Sequence, residues 1–258
     1  MKNILVPIDF SKKSEFASKM AARIAKKSNS VVYLLHIIEL PTGVVDMGPA
    51  SSFSIPESML YLRKIRERIL EFKNSFFSKS TQVHYAIKLQ TPYEGILKYA
   101  DKINADLIVM GYKGQSEFEE IIIGSNTEKV VRTAKMPVIV VKKDNEKFRM
   151  KNLIFASSFK NEDKKEVFRK FLEFANHFES KIHLLKINTP SKFESTQEAT
   201  EKIENFIEGF ELPKYSINIY NDALIEKGIL NFANNINADL IALSTSGRTG
   251  LSHLFSAS

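Results

Sequence analysis

Short apolar runs alternate with longer amphipathic segments along the first half of the chain. The runs are rich in β-branched residues and predict strands near 3–9, 31–38, 82–89, 105–110 and 137–141. A stripe at helical spacing, capped by Ser11 or Ser14, predicts the first helix; its members are Phe16, Ala17, Met20, Ala21, Ile24 and Ala25. Further helices are predicted over 57–77, 92–103 and 125–135. This alternation indicates βαβ units around a parallel, buried sheet.

Two polar stretches interrupt the alternation. The span 41–56 is rich in Gly, Pro and Ser, and it predicts a long surface loop for which a lid is one open role. The charged stretch 142–148 follows an apolar strand and predicts a short linker. We therefore expect two closely packed domains, over 1–145 and 150–258.

The second half of the chain repeats the first. Residues 3–10 align with 152–159, 32–38 with 182–188, and 103–111 with 236–244, where INADLIVMG matches INADLIALS. The offset shrinks from 149 to 133 residues, so the second copy is expected to lack most of the loop and helix between its second and third strands. The sequence stops at Ala257-Ser258, so this copy is also expected to lack its last helix and strand.

Composition narrows the function. There is no Cys, which excludes disulfides and thiolate metal sites, and the five His residues are isolated, so no metal site is predicted. The net charge of +7 is spread among acidic neighbours on helix faces, and no nucleic-acid partner is expected. The first apolar run is too short for a signal or a membrane span. We expect a cytoplasmic protein without a membrane partner.

One constellation of glycines is suited to binding an anion. Gly111 and Gly114 are followed, after nine residues, by Gly124 and Ser125 at the start of a predicted helix. Glycine allows close approach of the backbone, and a helix N-terminus offers free amides to a phosphate. Ser125 and Glu128 also fit a capping box, which needs no ligand. The glycines alone leave both interpretations open.

The spacing Gly-x-x-Gly, nine residues, Gly-Ser resembles the nucleotide signature of ATP-binding universal stress proteins. The segments VPIDFS at 6–11 and LLHI at 34–37 are similar to that family's first and second strand ends. The resemblance implies two tandem Rossmann-like α/β domains, each with a parallel sheet of order 3-2-1-4-5. Both Asp9 and Gly111 would then lie at carboxyl ends of strands beside the topological switch point, where open α/β sheets bind ligands.

The resemblance also implies a set of nucleotide-binding residues. Ile8, Asp9 and Ile37 would line the adenine and ribose region, and Pro7 and Met110 are counted with them. The residues that would surround ribose and phosphates are Gly111, Gly114, Gly124, Ser125 and Asn126. The implied ligand is ATP, with Mg²⁺ left open because Asp9 could position a metal-bound phosphate or simply bond the ligand.

The second copy departs from this signature. Ser244 replaces the first glycine, Ala257 the third, and Ser158 stands in place of Asp9. Nucleotide binding is therefore expected in the first half only. No catalytic residue is assigned, because no general base accompanies the site. The favoured function is an ATP-binding protein of stress response or signalling, with a nucleotide-free scaffold and a slow ATPase as alternatives. A homodimer is expected through the strand at 137–141, which lacks a partner strand from the second copy.

Overall fold

The computed structural model describes residues 1–39, 55–112, 125–144, 149–160, 164–212 and 214–244. Their contacts divide into two compact units. The first unit contains β1 (Asn3–Ile8), α1 (Lys12–Ser28), β2 (Val31–Ile38), α2 (Ile55–Phe76), β3 (Val83–Leu89), α3 (Pro92–Lys102), β4 (Leu107–Gly111), α4 (Ser125–Thr133) and β5 (Val138–Val141). The second contains β6 (Asn152–Ala156), α5 (Lys164–Asn176), β7 (Lys181–Asn188), α6 (Thr196–Ile207), β8 (Tyr215–Asn221), α7 (Ile225–Asn235) and β9 (Leu240–Leu243).

Both sheets are parallel, and their order confirms the predicted topology. The first sheet runs β3-β2-β1-β4-β5, and the described second sheet runs β8-β7-β6-β9, which is the same order through its fourth strand. The central strands are buried on both faces, since Ile4, Leu5 and Val6 of β1 have no exposed surface. This explains why they read as continuous apolar runs rather than as an alternating pattern.

The helices of the first unit cover both faces of its sheet. Side chains of α3 and α4 pack with Leu5, Leu35 and Ile108 in one cluster. On the other face, α1 contacts β1, β4 and β5 and lies beside α2. Helix α1 begins as predicted, because the Ser11 hydroxyl accepts a hydrogen bond from the Ser14 amide at 3.3 Å.

The two copies share a hydrogen-bonded clamp at the amino ends of their central strands. The Asp106 carboxylate accepts bonds from the amides of Lys2 and Asn3, at 2.6 and 2.9 Å. In the second copy, Asp239 accepts bonds from the two amides at the start of β6, at 2.7 and 3.0 Å. Asn104 and Asn237, two residues before each aspartate, both have positive φ, at 47° and 49°. The alignment of 103–111 with 236–244 therefore holds in backbone conformation and hydrogen bonding.

Two sequence expectations need correction. The second copy retains a helix between its second and third strands: α6 has 12 residues, against 22 in α2. The shrinking offset reflects a shorter connection and a shorter helix, not the loss of the helix. The loop predicted over 41–56 also ends too late, because Ile55 and Pro56 already belong to α2, and proline is tolerated in the first helical turn.

The remaining expectations about domain limits lie outside the described residues. The structure does not describe residues 40–54, where most of the predicted loop lies, or residues 145–148, which form most of the predicted linker. The domain boundaries 1–145 and 150–258 therefore stay a prediction. Residues 245–258, which carry the second half of the degenerate signature, also lie outside the described residues.

Candidate functional site

The carboxyl ends of β1, β2 and β4 lie level with one another in the first unit. Ile8 pairs with His36 in the register of β1 and β2. Ile4 pairs with Leu107, and the same register continued along β1 brings Ile8 level with Gly111. Chain connectivity reverses direction between β1 and β4, because β2 and β3 lie on one side and β5 on the other. Asp9 and Gly111 thus occupy neighbouring strand ends at the topological switch point.

A strained corner follows β1 and orients Asp9. Phe10 has φ of 62°, which is unusual for a bulky residue and turns the chain sharply at the strand end. The Ser11 amide donates to Asp9 Oδ1 at 3.0 Å, and Ser11 then caps α1. The Ser14 hydroxyl donates to the Ser11 carbonyl at 2.9 Å. The carboxylate is therefore held at the end of the strand before any ligand arrives, while the residue remains exposed.

The same bonds set the protonation of Asp9. Partial desolvation raises the pKa of its carboxyl group, but hydrogen bonds, chiefly from Ser11, lower it more, and the net pKa lies below the ordinary value. Asp9 is therefore ionised at neutral pH. An ionised carboxylate accepts hydrogen bonds from hydroxyl groups and can contribute one oxygen to a bound divalent cation.

Three predicted site residues share one face of the sheet. Ile37 and Met110 both pack in the cluster beneath α3 and α4. Pro7 lies two positions after Leu5 of that cluster, so strand alternation places it on the same face. Ile8 points to the opposite face, where its side chain is 4% exposed. A ligand at the Pro7, Ile37 and Met110 face would meet Ile8 only through its backbone.

Gly111 lies against the backbone of α1. A Cβ atom on Gly111 would lie 2.5 Å from the Lys13 carbonyl carbon and 2.9 Å from Lys13 Cβ, which no real Cβ contact allows. Packing of the first turn of α1 on the end of β4 thus requires glycine here. This reason differs from the close approach of a phosphate predicted from the sequence.

The remaining predicted residues are placed less completely. Helix α4 begins at Ser125, and Asn126 in its first turn is half-buried. The side chain of Ser125, and the whole of Gly114 and Gly124, fall outside the described residues. Glu128, the expected partner of Ser125 in a capping box, forms an ion pair with Arg132 at 3.3 Å.

A group of aromatic contacts beside the site was not predicted from the sequence. The Phe10 ring lies 4.7 Å from the His36 ring and 5.8 Å from the Phe72 ring, and the Arg68 guanidinium lies 4.4 Å above it. His36 Nδ1 is 2.9 Å from the Ile8 carbonyl oxygen, which can only accept, so this nitrogen carries the proton. These contacts join the corner after β1 to side chains of β2 and α2, so no local motif in the sequence predicts them.

The equivalent strand end in the second unit keeps the corner but loses the acid. Phe159 also has positive φ, at 55°, and its amide donates to the Ser157 hydroxyl at 3.2 Å. Ser158 is exposed where Asp9 stands in the first copy, and Ser244 at the end of β9 carries a side chain where Gly111 has none. The backbone turn is therefore independent of the acidic group.

Among the described residues there is no group of three or more His, Cys, Asp or Glu side chains that could hold a metal ion. Within the same residues, every helix is too short or too polar to cross a membrane.

The first half of the chain matches the model of a protein family. The model of the "Universal stress protein family" matches residues 1–142. A universal stress protein of Methanocaldococcus jannaschii is 32% identical over 142 residues, which cover 55% of this chain and 82% of the relative. A second universal stress protein of that organism is 29% identical over 163 residues, covering 56% of this chain and 96% of the relative.

Comparison with solved structures extends the likeness to the second half. The crystal structure of a universal stress protein from Archaeoglobus fulgidus superposes with a TM-score of 0.72 at 19% identity, covering 99% of this chain and 95% of that one. At this identity the likeness concerns the fold. A functionally unknown protein from Pseudomonas aeruginosa matches with a TM-score of 0.65 at 17% identity, covering 99% and 86% of the two chains. Both matches span the two α/β units.

Proposed function

The chain belongs to the universal stress protein family, and we propose that its first half binds ATP at the carboxyl ends of β1 and β4. Binding would act in stress response or signalling by shifting the conformation or association of the protein. The second half, which lacks the acidic residue and the first signature glycine, would bind no nucleotide.

The arrangement of Asp9 and Gly111 carries this proposal. They lie at neighbouring strand ends of the switch point, and Asp9 is ionised and fixed by the Ser11 amide. The adjacent side chains of Pro7 and Ile37 are apolar and partly exposed, beside the buried Met110, and binding pockets for small molecules are typically lined by apolar groups. Charge on one side and an apolar face on the other fit a ligand that combines a flat base with a ribose and phosphates. The spacing to Gly114, Gly124 and Ser125 adds backbone amides for the phosphates.

Mg²⁺ would enter with the nucleotide. Magnesium is commonly held by one or two carboxylates together with substrate phosphates. Asp9 provides one such carboxylate, since its Oδ1 accepts from the Ser11 amide and the residue is exposed. The chemistry supplied by the ion would be charge neutralisation of the phosphates. On the protein side, the work of the site is binding and orientation.

Recovery of nucleotide from the purified protein tests the proposal. Protein purified without added nucleotide is denatured, and the released small molecules are identified by mass spectrometry and titrated back by calorimetry. ATP bound at one site per chain is expected. Asp9→Ala should weaken binding, whereas Ser158→Ala, the same change at the equivalent corner of the second half, should not. Absence of saturable ATP binding by the wild type would reject the proposal and favour a nucleotide-free scaffold.

A further inference from the structure

Three lysines converge on one glutamate at the carboxyl end of the second sheet. Glu194 lies just before the Ser195 cap of α6. Its Oε2 is 2.8 Å from the Nζ atoms of Lys186 and Lys202, and its Oε1 is 2.9 Å from Lys160 Nζ. Lys160 follows the corner after β6, Lys186 belongs to β7 and Lys202 to α6. Three separate elements therefore bring ammonium groups to one place.

Lys186 is the most unusual member of this lysine cluster. It stands in β7 at the position that aligns with His36 in the first copy, and its side chain is only 5% exposed. An ammonium group has three N–H donors, and in the described part of the chain the one acceptor of Lys186 is Glu194. A buried charge with donors left over is costly unless further acceptors reach it. Within the described residues, Glu194 alone therefore faces the three donors of the Lys186 ammonium group.

In the part of the chain that the structure describes, the lysine cluster carries more positive than negative charge. Among the described residues, three ammonium groups and the Glu194 carboxylate leave a surplus of two positive charges. The next acid, Glu198, interacts electrostatically with Lys202, but its carboxylate accepts from the amide and hydroxyl of Ser195 in the capping box. Counting Glu198 still leaves one positive charge. Lys160 and Lys202 are 55% and 40% exposed, so the cluster is open to solvent on one side.

The backbone of Glu194 is held independently of its carboxylate. Asn188, at the end of β7 and 4% exposed, donates from Nδ2 to the Glu194 carbonyl at 2.9 Å. The carboxylate is therefore presented to the lysines from a fixed point rather than from a free loop. A second anion that shared the lysines would enter beside an ordered group.

We propose that the lysine cluster of Lys160, Lys186 and Lys202 is a binding site for a phosphate group, so that the second half binds an anion by a different means from the first. Lysine binds phosphate as a point charge and needs no glycine loop. The location is similar to that of ligands in open α/β sheets, since Lys160 follows the carboxyl end of β6 and Glu194 follows that of β7. The loss of Asp9 and Gly111 equivalents then marks a change of ligand rather than the loss of all binding.

Titration with inorganic phosphate at constant ionic strength tests this inference in the full chain. Wild-type protein should show saturable binding by calorimetry. The double variant Lys160→Gln with Lys202→Gln should lose about tenfold or more in affinity, since each charged hydrogen bond to phosphate contributes strongly. The matched control, Lys98→Gln with Lys135→Gln, removes two exposed, ion-paired lysines of the first unit and should bind as the wild type does. If phosphate bound only in the first half, the Lys160/Lys202 double variant would bind it as well as the Lys98/Lys135 double variant does.

A second variant separates binding from a purely structural role. Glu194→Gln leaves the buried Lys186 ammonium without its carboxylate partner. The thermal unfolding temperature of this variant should therefore fall in phosphate-free buffer. Added phosphate should raise the unfolding temperature of the variant more than that of the wild type. A destabilisation that phosphate does not reduce would overturn the inference. So would a wild type without saturable phosphate binding, which would mean that other carboxylates of the chain satisfy the lysines. Neither outcome bears on ATP binding by the first half.

Discussion

The Lys13 backbone occupies the position that a Cβ atom on Gly111 would need. The carbonyl carbon of Lys13 would lie 2.5 Å from that atom, and the contact belongs to the first turn of α1, which Ser11 caps. The end of β4 and the start of α1 therefore depend on each other. Any side chain at 111 displaces the segment that also orients Asp9.

Gly111→Ala should destabilise the first unit by about 1–3 kcal/mol, because helix backbone cannot move as easily as a side chain. The control is Gly95→Ala, where a new Cβ would meet the end of the flexible Ile37 side chain at 2.7 Å. Alanine also favours the helix interior, so this change should lie within about 1 kcal/mol of the wild type. Denaturant unfolding measures both, and equal stability of the two variants would contradict the packing argument.

ATP binding should be asymmetric between the halves. Gly114→Leu should abolish ATP binding measured by calorimetry, because its backbone is expected to approach the phosphates. Gly247→Leu changes the glycine at the same place in the second signature and should leave the single site intact. Two equivalent sites per chain would be inconsistent with this assignment.

Hydrolysis of bound ATP should be very slow. The candidate site offers one ionised carboxylate and no partner general base was identified from the sequence, so it is better suited to binding than to activating water. In a single-turnover assay the rate should fall far below the roughly 10 per second of an ordinary enzyme. Release of phosphate at such ordinary rates would place the protein among ATPases.

Acid should weaken the second unit through Glu194. Hydrogen bonds from Lys186, Lys202 and Lys160 lower the pKa of this carboxyl group from 4.5 to about 2. A group whose pKa is depressed by folding stabilises the folded state above its unfolded pKa, and that contribution disappears as the pH falls from about 4.5 to about 2. The stability difference between wild type and Glu194→Gln should therefore shrink over this range. A stability difference between the two proteins that stays constant with pH would show that the Glu194 carboxylate does not cause it.

Self-association through β5 remains a prediction that the sheet order makes testable. β5 is an edge strand, and within the described chain it pairs with β4 alone. An unpaired apolar edge invites a second copy, most simply as a twofold dimer. Ile139 is buried at 9% exposure, so a charge there would also damage the core, and the half-buried Val140 is the better position. Light scattering should show a dimer for the wild type and a monomer for Val140→Lys; a monomeric wild type excludes this interface.

The sequence was sufficient where local pattern and fold agree. All five strands of the first unit were located within two residues, because buried parallel strands leave long apolar runs. The sequence was insufficient for α6, since an alignment offset reports missing residues without showing whether loop or helix supplied them. The positive φ of Phe10, which Phe159 repeats in the second unit, was also not predicted, because bulky residues rarely adopt this conformation.

The lysine cluster shows a different limit of prediction from sequence. Lys160, Lys186 and Lys202 are far apart along the chain, and no spacing rule connects them. One signal was available, namely a lysine within the apolar run of β7, where a charge needs a partner. That signal indicates that a counter-charge exists without saying which residue provides it, so the convergence on Glu194 required the structure.

The aspartate clamp shared by Asp106 and Asp239 has a consequence for how such a protein can change. Each clamp ties the start of a central strand to its neighbour, at the end of the sheet opposite the strand ends that carry ligand chemistry. Substitutions at those strand ends therefore leave the clamp intact. In a duplicated chain of this kind, the ligand-binding residues of one half can change while the other half keeps its original ligand. The hydrogen bonds at the amino ends of both sheets stay the same.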